Sequence, residues 1–263
     1  YMKRLVVLVL AVFLMFNLQD LGAGRLSIGE DFYEKTKLTT LSALKPVFGF
    51  KHQPPLYKRY EKAKEIKLPI PDFRGICLEE AIKRRRSIRD YRNEPLSIKE
   101  LSQLLFASQG ITGYYGNQPL RAAPSAGALY PFEIYLIVNQ VEGIDRGIYH
   151  YSVLDHSLEL VKLGDYRSKS TKCCLNQDVV GKSAVTFVLT AIFRRTTYKY
   201  GERGYRYVYI EAGHISQNIS LQAVSLGLGS VCIGAFYDDK LNNLLEIDGQ
   251  KEAAIYVHAV GKI

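Results

Sequence analysis

Apolar residues recur at helical spacing in several parts of the chain. Residues 78–86 present one apolar face, which predicts a short helix. Ser97 and Glu100 form a capping-box pattern, so another helix is predicted to begin there and to end at Gly110. Residues 205–226 predict a long helix. Its inward face is expected to consist of Ile210, Ile215, Ile219 and Val224.

Other segments are rich in β-branched and aromatic residues, which predicts strands. The run at 133–139 has the composition of a buried strand. Segments 147–151 and 158–163 flank a turn and predict a hairpin. Further strands are predicted at 184–193, 230–235 and 253–260. Because strands and helices do not alternate regularly, we expect an α+β fold with a central mixed sheet flanked by helices.

The N-terminal segment at 1–24 has the pattern of a signal peptide. Lys3 and Arg4 precede an apolar run at 5–18, and small residues follow. The run is shorter than the roughly 20 apolar residues that span a bilayer. The alternative is an apolar helix that docks on the protein or on a partner subunit. If residues 2–24 act as a signal, the protein is exported or membrane-anchored, with membrane contact through the apolar run; otherwise it is cytoplasmic.

A proline-containing segment follows at 25–70. Its prolines suit an extended arm better than a packed helix. The chain has 263 residues, 47% of them hydrophobic, which is enough to bury one substantial core. We therefore predict an N-terminal apolar segment at 1–24, an arm at 25–70 and one domain at 71–263.

The formal net charge of +9 raises the question of nucleic-acid binding, since clustered cations attract phosphate. The basic residues are spread along the chain, and no zinc-finger or RRM pattern accompanies them. We therefore predict no nucleic-acid partner. The cysteines form no CxxC pair and lie at no metal-ligand spacing from a histidine, so no metal site is predicted. Adjacent Cys173 and Cys174 are interpreted as small buried residues.

A basic run that contains Arg85, Arg86 and Ser87 stands at the end of the first predicted helix. An arginine guanidinium binds phosphate bidentately, and a serine hydroxyl adds a neutral donor. The run is therefore a candidate phosphate site. The alternative interpretation is a solvated basic helix end.

Two further runs contain small residues at notable positions. In the run at 121–131, glycine and alanine would let the main chain approach a planar ring closely, although a plain loop before a strand is the alternative. Gly227 and Gly229 follow a helix and precede a strand, which is the reverse of the Rossmann order. They are explained by helix capping, so a dinucleotide-binding fold is not predicted.

The runs at 84–91, 121–131, 226–235 and 257–262, in this order, resemble the nitroreductase superfamily. The resemblance implies the nitroreductase fold and FMN as the cofactor. It assigns Arg85, Arg86, Ser87 and Lys262 to the FMN phosphate, Pro124, Ser125, Ala126 and Gly127 to the flavin ring, and Gln217, Ile233 and Gly234 to further flavin contacts. In this assignment the backbone N–H of Gly234 donates to flavin N5.

The run at 199–207, with the residues that follow it, is similar to the signature of the SagB-type dehydrogenases. The resemblance implies that Lys199 and Tyr200 form a catalytic dyad for oxidation of thiazoline or oxazoline rings to azoles. A desolvated lysine loses its charge more easily and can act as a base, while a tyrosine can donate a hydrogen bond or relay the proton. Both side chains are expected to face one pocket only from a loop or a helix start. His214 is expected to pack at a helix interface.

The resemblance also implies an intertwined homodimer with FMN at the subunit interface. Arg85, Ser87 and Lys262 would come from one subunit and residues 124–127 from the other. The substrate would be a small molecule or a peptide. The alternative enzyme is a reductase of nitroaromatics, quinones or free flavin, with NADH or NADPH as electron donor. The alternative of another class is a non-catalytic flavin- or nucleic-acid-binding protein.

Overall fold

The computed structural model of the protein describes residues 27–38 and 53–263. The chain forms two compact units, with the boundary between Lys45 and Pro46. Helix α1 (Ile28–Lys35) is the described part of the first unit. It begins at a capping box and lies in the region predicted as an extended arm. A helix can form there because no proline interrupts it. The predicted segment at 1–24 lies outside the described residues.

The second unit is built on a seven-stranded sheet in the order β1-β6-β5-β4-β7-β9-β8, with β2 and β3 as a separate hairpin. The strands are β1 (Glu65–Lys67), β2 (Ile111–Tyr115), β3 (Gln118–Arg121), β4 (Phe132–Val138), β5 (Gly147–Ser152), β6 (Ser157–Leu163), β7 (Val185–Ile192), β8 (Leu228–Ile233) and β9 (Glu252–Lys262). The α+β class is confirmed. The ladders of this sheet are antiparallel rather than mixed, and parallel pairing among the described residues is limited to isolated bridges such as Ser87–Ser230.

Helices cover both faces of the sheet. They are α2 (Leu78–Arg84), α3 (Ile98–Gln109), α4 (Arg167–Cys173), α5 (Asp178–Lys182), α6 (Arg194–Tyr200), α7 (Arg203–Ser225) and α8 (Asp238–Leu245). Alternate residues of β4 divide the core: Ile134 and Leu136 pack with α3 and α7, whereas Ile137 packs with α4, α5 and α8. Cys173 and Cys174 are buried on the same side of the sheet as Ile137, and their burial was predicted. Within the described ranges, no helix combines the length and hydropathy needed to cross a bilayer.

The structure confirms most of the local helix signals. The capping box of Ser97 and Glu100 begins α3, and Gly110 caps its other end. In α7, Ile215 and Ile219 are buried as expected, but Ile210 is 55% exposed, so its predicted inward position is wrong. The buried stripe of α7 includes Val208, and Ile210 lies about 200° around the helix from it.

The sheet also includes chain from the predicted arm. Strand β1 pairs with β6, and the segment before it packs against the same sheet. Lys58 Nζ lies 2.6 Å from Glu252 Oε2 and donates to Tyr135 Oη at 2.6 Å. The sheet-bearing unit therefore contains residues before position 71, where the sequence alone suggested that the domain begins.

A buried ionic network joins the sheet to α6. Arg195, 2% exposed, places Nη2 at 2.6 Å from Glu133 Oε1 and donates from Nε to Pro55 O at 2.7 Å. His150 bridges Glu133 and Glu159 at 2.8 and 2.7 Å. Burial alone would raise the pKa of Glu133, but the His150 hydrogen bond and the Arg195 charge lower that pKa to about 2. The network is therefore a charged anchor between α6 and the sheet.

Replacing Arg195 by methionine should lower the free energy of unfolding by about 3–5 kcal/mol, because the buried Glu133 carboxylate would lose its arginine partner. Lys172→Met, on the exposed side of α4, is the control and should change stability little. Chemical denaturation measures both. Equal losses in the two variants would contradict the role given to the network.

Candidate functional site

The basic segment after α2 is fixed along the edge strand β8. Ser87 forms a parallel bridge with Ser230, and Ile88 N donates to Ser230 O at 3.0 Å. The ring of Tyr91 covers Gly261, where an added Cβ would lie 2.6 Å from Tyr91 Cγ. A side chain at this glycine would displace the ring. The tight packing explains how an exposed, charged segment keeps a defined position.

The structure brings Lys262 to the same end of the sheet. Lys262 pairs with Leu228, two residues along β8 from Ser230, which is about 7 Å at the rise of a strand. Arg85 and Arg86 precede Ser87 in the same segment, and the Arg86 guanidinium donates to the carbonyl of Arg85 at 2.7 Å. We call Arg85, Arg86, Ser87 and Lys262 the basic cluster.

Lys262 already has an acidic neighbour. Its Nζ lies 2.6 Å from Glu100 Oε1. The other oxygen of Glu100 accepts from Ser97 N at 2.8 Å, which is part of the capping box of α3. The carboxylate that begins α3 therefore also holds the lysine at the end of β9.

Gly234 follows the other end of β8. It stands four positions after Ser230, which corresponds to about 13 Å along a strand. Ile233 is buried and pairs with Val257. An added Cβ on Gly234 would meet only Tyr256 Cε2, at 3.7 Å. The described protein atoms therefore leave room for a side chain at this exposed glycine.

The loop at 124–130 has an unusual backbone that its hydrogen bonds maintain. Gly127, Ala128 and Tyr130 have φ of 63°, 52° and 44°, a region that side chains seldom adopt. Ser125 Oγ accepts from Tyr130 N at 2.9 Å, and Gln118 Nε2 donates to Ala128 O at 3.0 Å. The loop is consequently a rigid turn in front of β4.

Lys199 and Tyr200 converge on this loop. A Cβ added to Gly127 would lie 2.7 Å from Tyr200 Oη and 2.9 Å from Lys199 Nζ. The two residues form the C-terminal end of α6, so the expectation that they lie in a loop or at a helix start is wrong. Both side chains can still reach Gly127 from a helix end because they are long. We call Ser125, Gly127, Lys199 and Tyr200 the Gly127 cluster.

Two contacts orient the end of α6. Arg195, one turn before Lys199, donates to Tyr130 O at 3.3 Å and belongs to the buried ionic network. The ring of Tyr200 packs edge-on against Tyr207 of α7, with centroids 5.0 Å apart. The helix that carries the dyad is thus attached both to the loop and to α7.

Sequence reasoning gave no role to two buried charges beneath the loop. Glu211 of α7 is 3% exposed and Arg121 of β3 is 6% exposed. Burial raises the pKa of Glu211 to about 7, against the lowering effects of Ser125, Arg121 and Gln109. A signal was available, because Glu211 interrupts an apolar stripe of α7.

Two other predicted residues of α7 point away from its buried stripe. His214 is exposed, so its predicted packing at a helix interface is wrong. Gln217 is also exposed. Asn218, next along the helix, is half-buried, and its Nδ2 donates to Ala107 O at 3.0 Å.

Comparison with known proteins identifies related sequences. The profile of the Nitroreductase family matches residues 82–262. A Methanocaldococcus jannaschii protein that carries the provisional name nitroreductase MJ1384 is 39% identical over 75% of this chain and 96% of its own length. The microcin B17-processing protein McbC of Escherichia coli is 30% identical over 64% of this chain, and the match spans 63% of McbC.

Solved structures show the same relationship. A provisionally named nitroreductase from Anabaena variabilis superposes with a TM-score of 0.73 at 28% identity, over 92% of this chain and 49% of that one. A chain of the E. coli microcin synthetase McbBCD complex with truncated pro-MccB17 bound superposes with a TM-score of 0.59 at 26% identity. The match covers 90% of this chain and 92% of that one. The likeness to a microcin-processing protein supports the SagB-type branch.

Gly127→Ala should displace both members of the dyad. The new Cβ would overlap Tyr200 Oη and Lys199 Nζ, and the positive φ would cost about 1 kcal/mol. Gly116→Ala is a matched control, because Gly116 has a φ of 59° and nothing within 4 Å of an added Cβ. Labelling of Lys199 by an amine-directed reagent, followed by mass spectrometry, should change only in Gly127→Ala. Equal labelling in both variants would contradict the contact.

Proposed function

Since the chain belongs to the nitroreductase family, we propose that it is an FMN-dependent oxidoreductase of the SagB type, which dehydrogenates an azoline ring in a peptide or small molecule. One observation carries the proposal: Lys199 Nζ and Tyr200 Oη meet at Gly127. The relative McbC is a microcin B17-processing protein, which supports a peptide substrate. The chain spans only part of McbC, so the substrate class is part of the proposal.

The residues present fit FMN. The basic cluster supplies cations and a hydroxyl for a phosphate, as guanidinium and serine groups do elsewhere. Gly234, about 13 Å along β8, is exposed and leaves open space for a flat ring. The length of β8 therefore matches a cofactor with a phosphate at one end and a ring at the other.

We propose that a second copy of the chain completes the site. In that arrangement the basic cluster and Gly234 come from one subunit and residues 124–127 from the other. Exposed apolar side chains along α2 and before it support a partner surface: Phe73, Ile76, Leu78 and Ile82. Part of this surface borders a cleft of about 370 Å³ between α2, α3 and α7. Sedimentation of the FMN-loaded protein as a monomer would contradict the arrangement.

Bound FMN would supply a hydride acceptor at flavin N5. The chain must then remove the proton that the azoline loses together with the hydride. In the proposal, Lys199 Nζ accepts this proton. Tyr200 Oη donates a hydrogen bond to the substrate or passes the proton onward. Both groups lie against Gly127, so they are close to one point where a substrate atom could be bound.

The 39% identity to the M. jannaschii protein favours a second candidate, an NAD(P)H-dependent reductase of nitroaromatics, quinones or flavin. The two candidates differ in their electron donor. Mixing FMN-loaded protein with NADH or NADPH without oxygen distinguishes them by the flavin absorbance. Rapid bleaching by a nicotinamide supports the reductase, whereas bleaching only by an azoline peptide supports the dehydrogenase.

Lys199→Ala and Tyr200→Phe should each slow bleaching by an azoline peptide, because proton transfer contributes about 10²–10⁴-fold to such reactions. FMN affinity should stay within a few-fold of the wild type. Tyr198→Phe, on the same helix, is the control. Single-turnover absorbance measures the rates. Unchanged bleaching in both dyad variants would contradict the assigned chemistry.

Glu100→Gln should tighten FMN binding. The substitution removes the negative charge 2.6 Å from Lys262, while glutamine can keep the capping box. Riboflavin, which lacks the phosphate, should bind both proteins alike. Fluorescence titration measures the two affinities. If Glu100→Gln binds riboflavin more tightly as well, or does not bind FMN more tightly, Lys262 does not hold the phosphate.

A further inference from the structure

Next to the loop at 124–130 lies a cluster of buried polar side chains that the proposed reaction does not use. Glu211 Oε1, Gln109 Nε2, Arg121 Nε and Tyr57 Oη are buried and form no hydrogen bond with the described residues. Buried polar atoms are normally paired, so a group without partners in hydrogen-bond geometry calls for an explanation. Gln109, Ser125 and Arg121 nevertheless lie close enough to act on the Glu211 carboxyl. These atoms surround one guanidinium, that of Arg121.

Arg121 stands at the centre of this polar cluster and is held by several contacts. Its Nη1 donates to Gln109 Oε1 at 3.3 Å and its Nη2 to Leu56 O at 3.1 Å. Its guanidinium lies 4.6 Å from the ring centroid of Tyr130, the residue that ends the loop. The cation is held from α3, the arm and the loop, and it lowers the pKa of Glu211 by less than burial raises it.

Glu211 is joined to the dyad by two routes. On α7 it lies one turn after Tyr207, whose ring packs on Tyr200. Its carboxyl also faces Ser125, two residues before Gly127. The side chains that act on it from the packed elements are Ser125 of the loop, Arg121 of β3 and Gln109 of α3. Glu211 thus lies directly below the residues that meet Lys199.

The charge of Glu211 determines what Ser125 can do. An ionised carboxylate only accepts hydrogen bonds, so the Ser125 hydroxyl donates to it while Ser125 Oγ accepts from Tyr130 N. A protonated carboxyl can itself donate to Ser125 Oγ, and the Ser125 hydroxyl proton must then turn away from it. Protonation would therefore rearrange the hydrogen bonds at the oxygen that closes the loop.

We propose that Glu211 is a positioning residue that takes up and releases a proton beneath the loop, so that Lys199 and Tyr200 are held for chemistry only when its carboxyl is ionised. The effect on turnover rests on the proposed function. The proton exchange and its effect on the loop are properties of the chain without cofactor or substrate.

The test compares Glu211→Gln with the wild type and with Glu142→Gln, an exposed glutamate in the β4–β5 connection. Infrared difference spectra of the cofactor-free protein should show a carboxyl that titrates near pH 7 in the wild type and in Glu142→Gln, and its loss in Glu211→Gln. A carboxyl that titrates near its ordinary value of about 4.3 would overturn the proposal.

Loop order is measured by the pH dependence of Lys199 labelling. The wild type should show a step in labelling rate near pH 7, and Glu211→Gln should lack this step. Ser125→Ala should still show a carboxyl titration, moved to higher pH because the lowering effect of Ser125 is lost, but it should lose the step in labelling because the hydroxyl that joins Glu211 to the loop is gone. A step that persists in either variant would refute the positioning role, and this result does not depend on which substrate the enzyme oxidises.

Stability gives a further readout. The folded pKa of Glu211 is raised, so the folded chain binds more protons than the unfolded chain between about pH 4.3 and 7. The stabilisation of the wild type relative to Glu211→Gln should be complete below this window and should decline as pH rises through it. A difference that is constant with pH would contradict the proton uptake.

Discussion

The buried pair of Arg195 and Glu133 is the constraint on which the arrangement of the site depends. It joins the first turn of α6 to β4 in a place that water does not reach, where an unpaired charge would be costly. The same guanidinium reaches the carbonyl of Tyr130. One side chain therefore sets the distance between the loop at Gly127 and the helix that carries Lys199 and Tyr200.

The local fold could be predicted from the sequence because its signals are local. The capping box at Ser97 and the apolar runs of the core strands depend on a few neighbouring residues. The hairpin of β5 and β6 was predicted from its turn, but the other antiparallel pairs could not be predicted in this way, since they join segments that are distant in the chain. Ile210 shows a related limit: its apolar character suits a buried face, but the stripe set by Val208 and Ile215 leaves it outside.

In the candidate site, too, local motifs could be recognised from the sequence, whereas contacts between distant segments could not. The motifs around Ser87, Gly127 and Lys199 were recognisable by their similarity to a family, and the structure adds the contacts between them. The ion pair of Lys262 with Glu100 has no local sequence signal, because the partners are far apart in the chain. Glu211 was visible as a charge within an apolar stripe, but its effect requires knowledge of what faces it from other elements.

In the proposed enzyme, the basic cluster and the Gly127 cluster act on a single FMN across two subunits. A crystal structure of the FMN-loaded protein tests it most directly. We expect the phosphate beside Ser87 and Lys262, and the flavin ring between Gly234 of one subunit and Gly127 of the other. A phosphate bound elsewhere, or a ring far from Lys199 of both subunits, would contradict the claim.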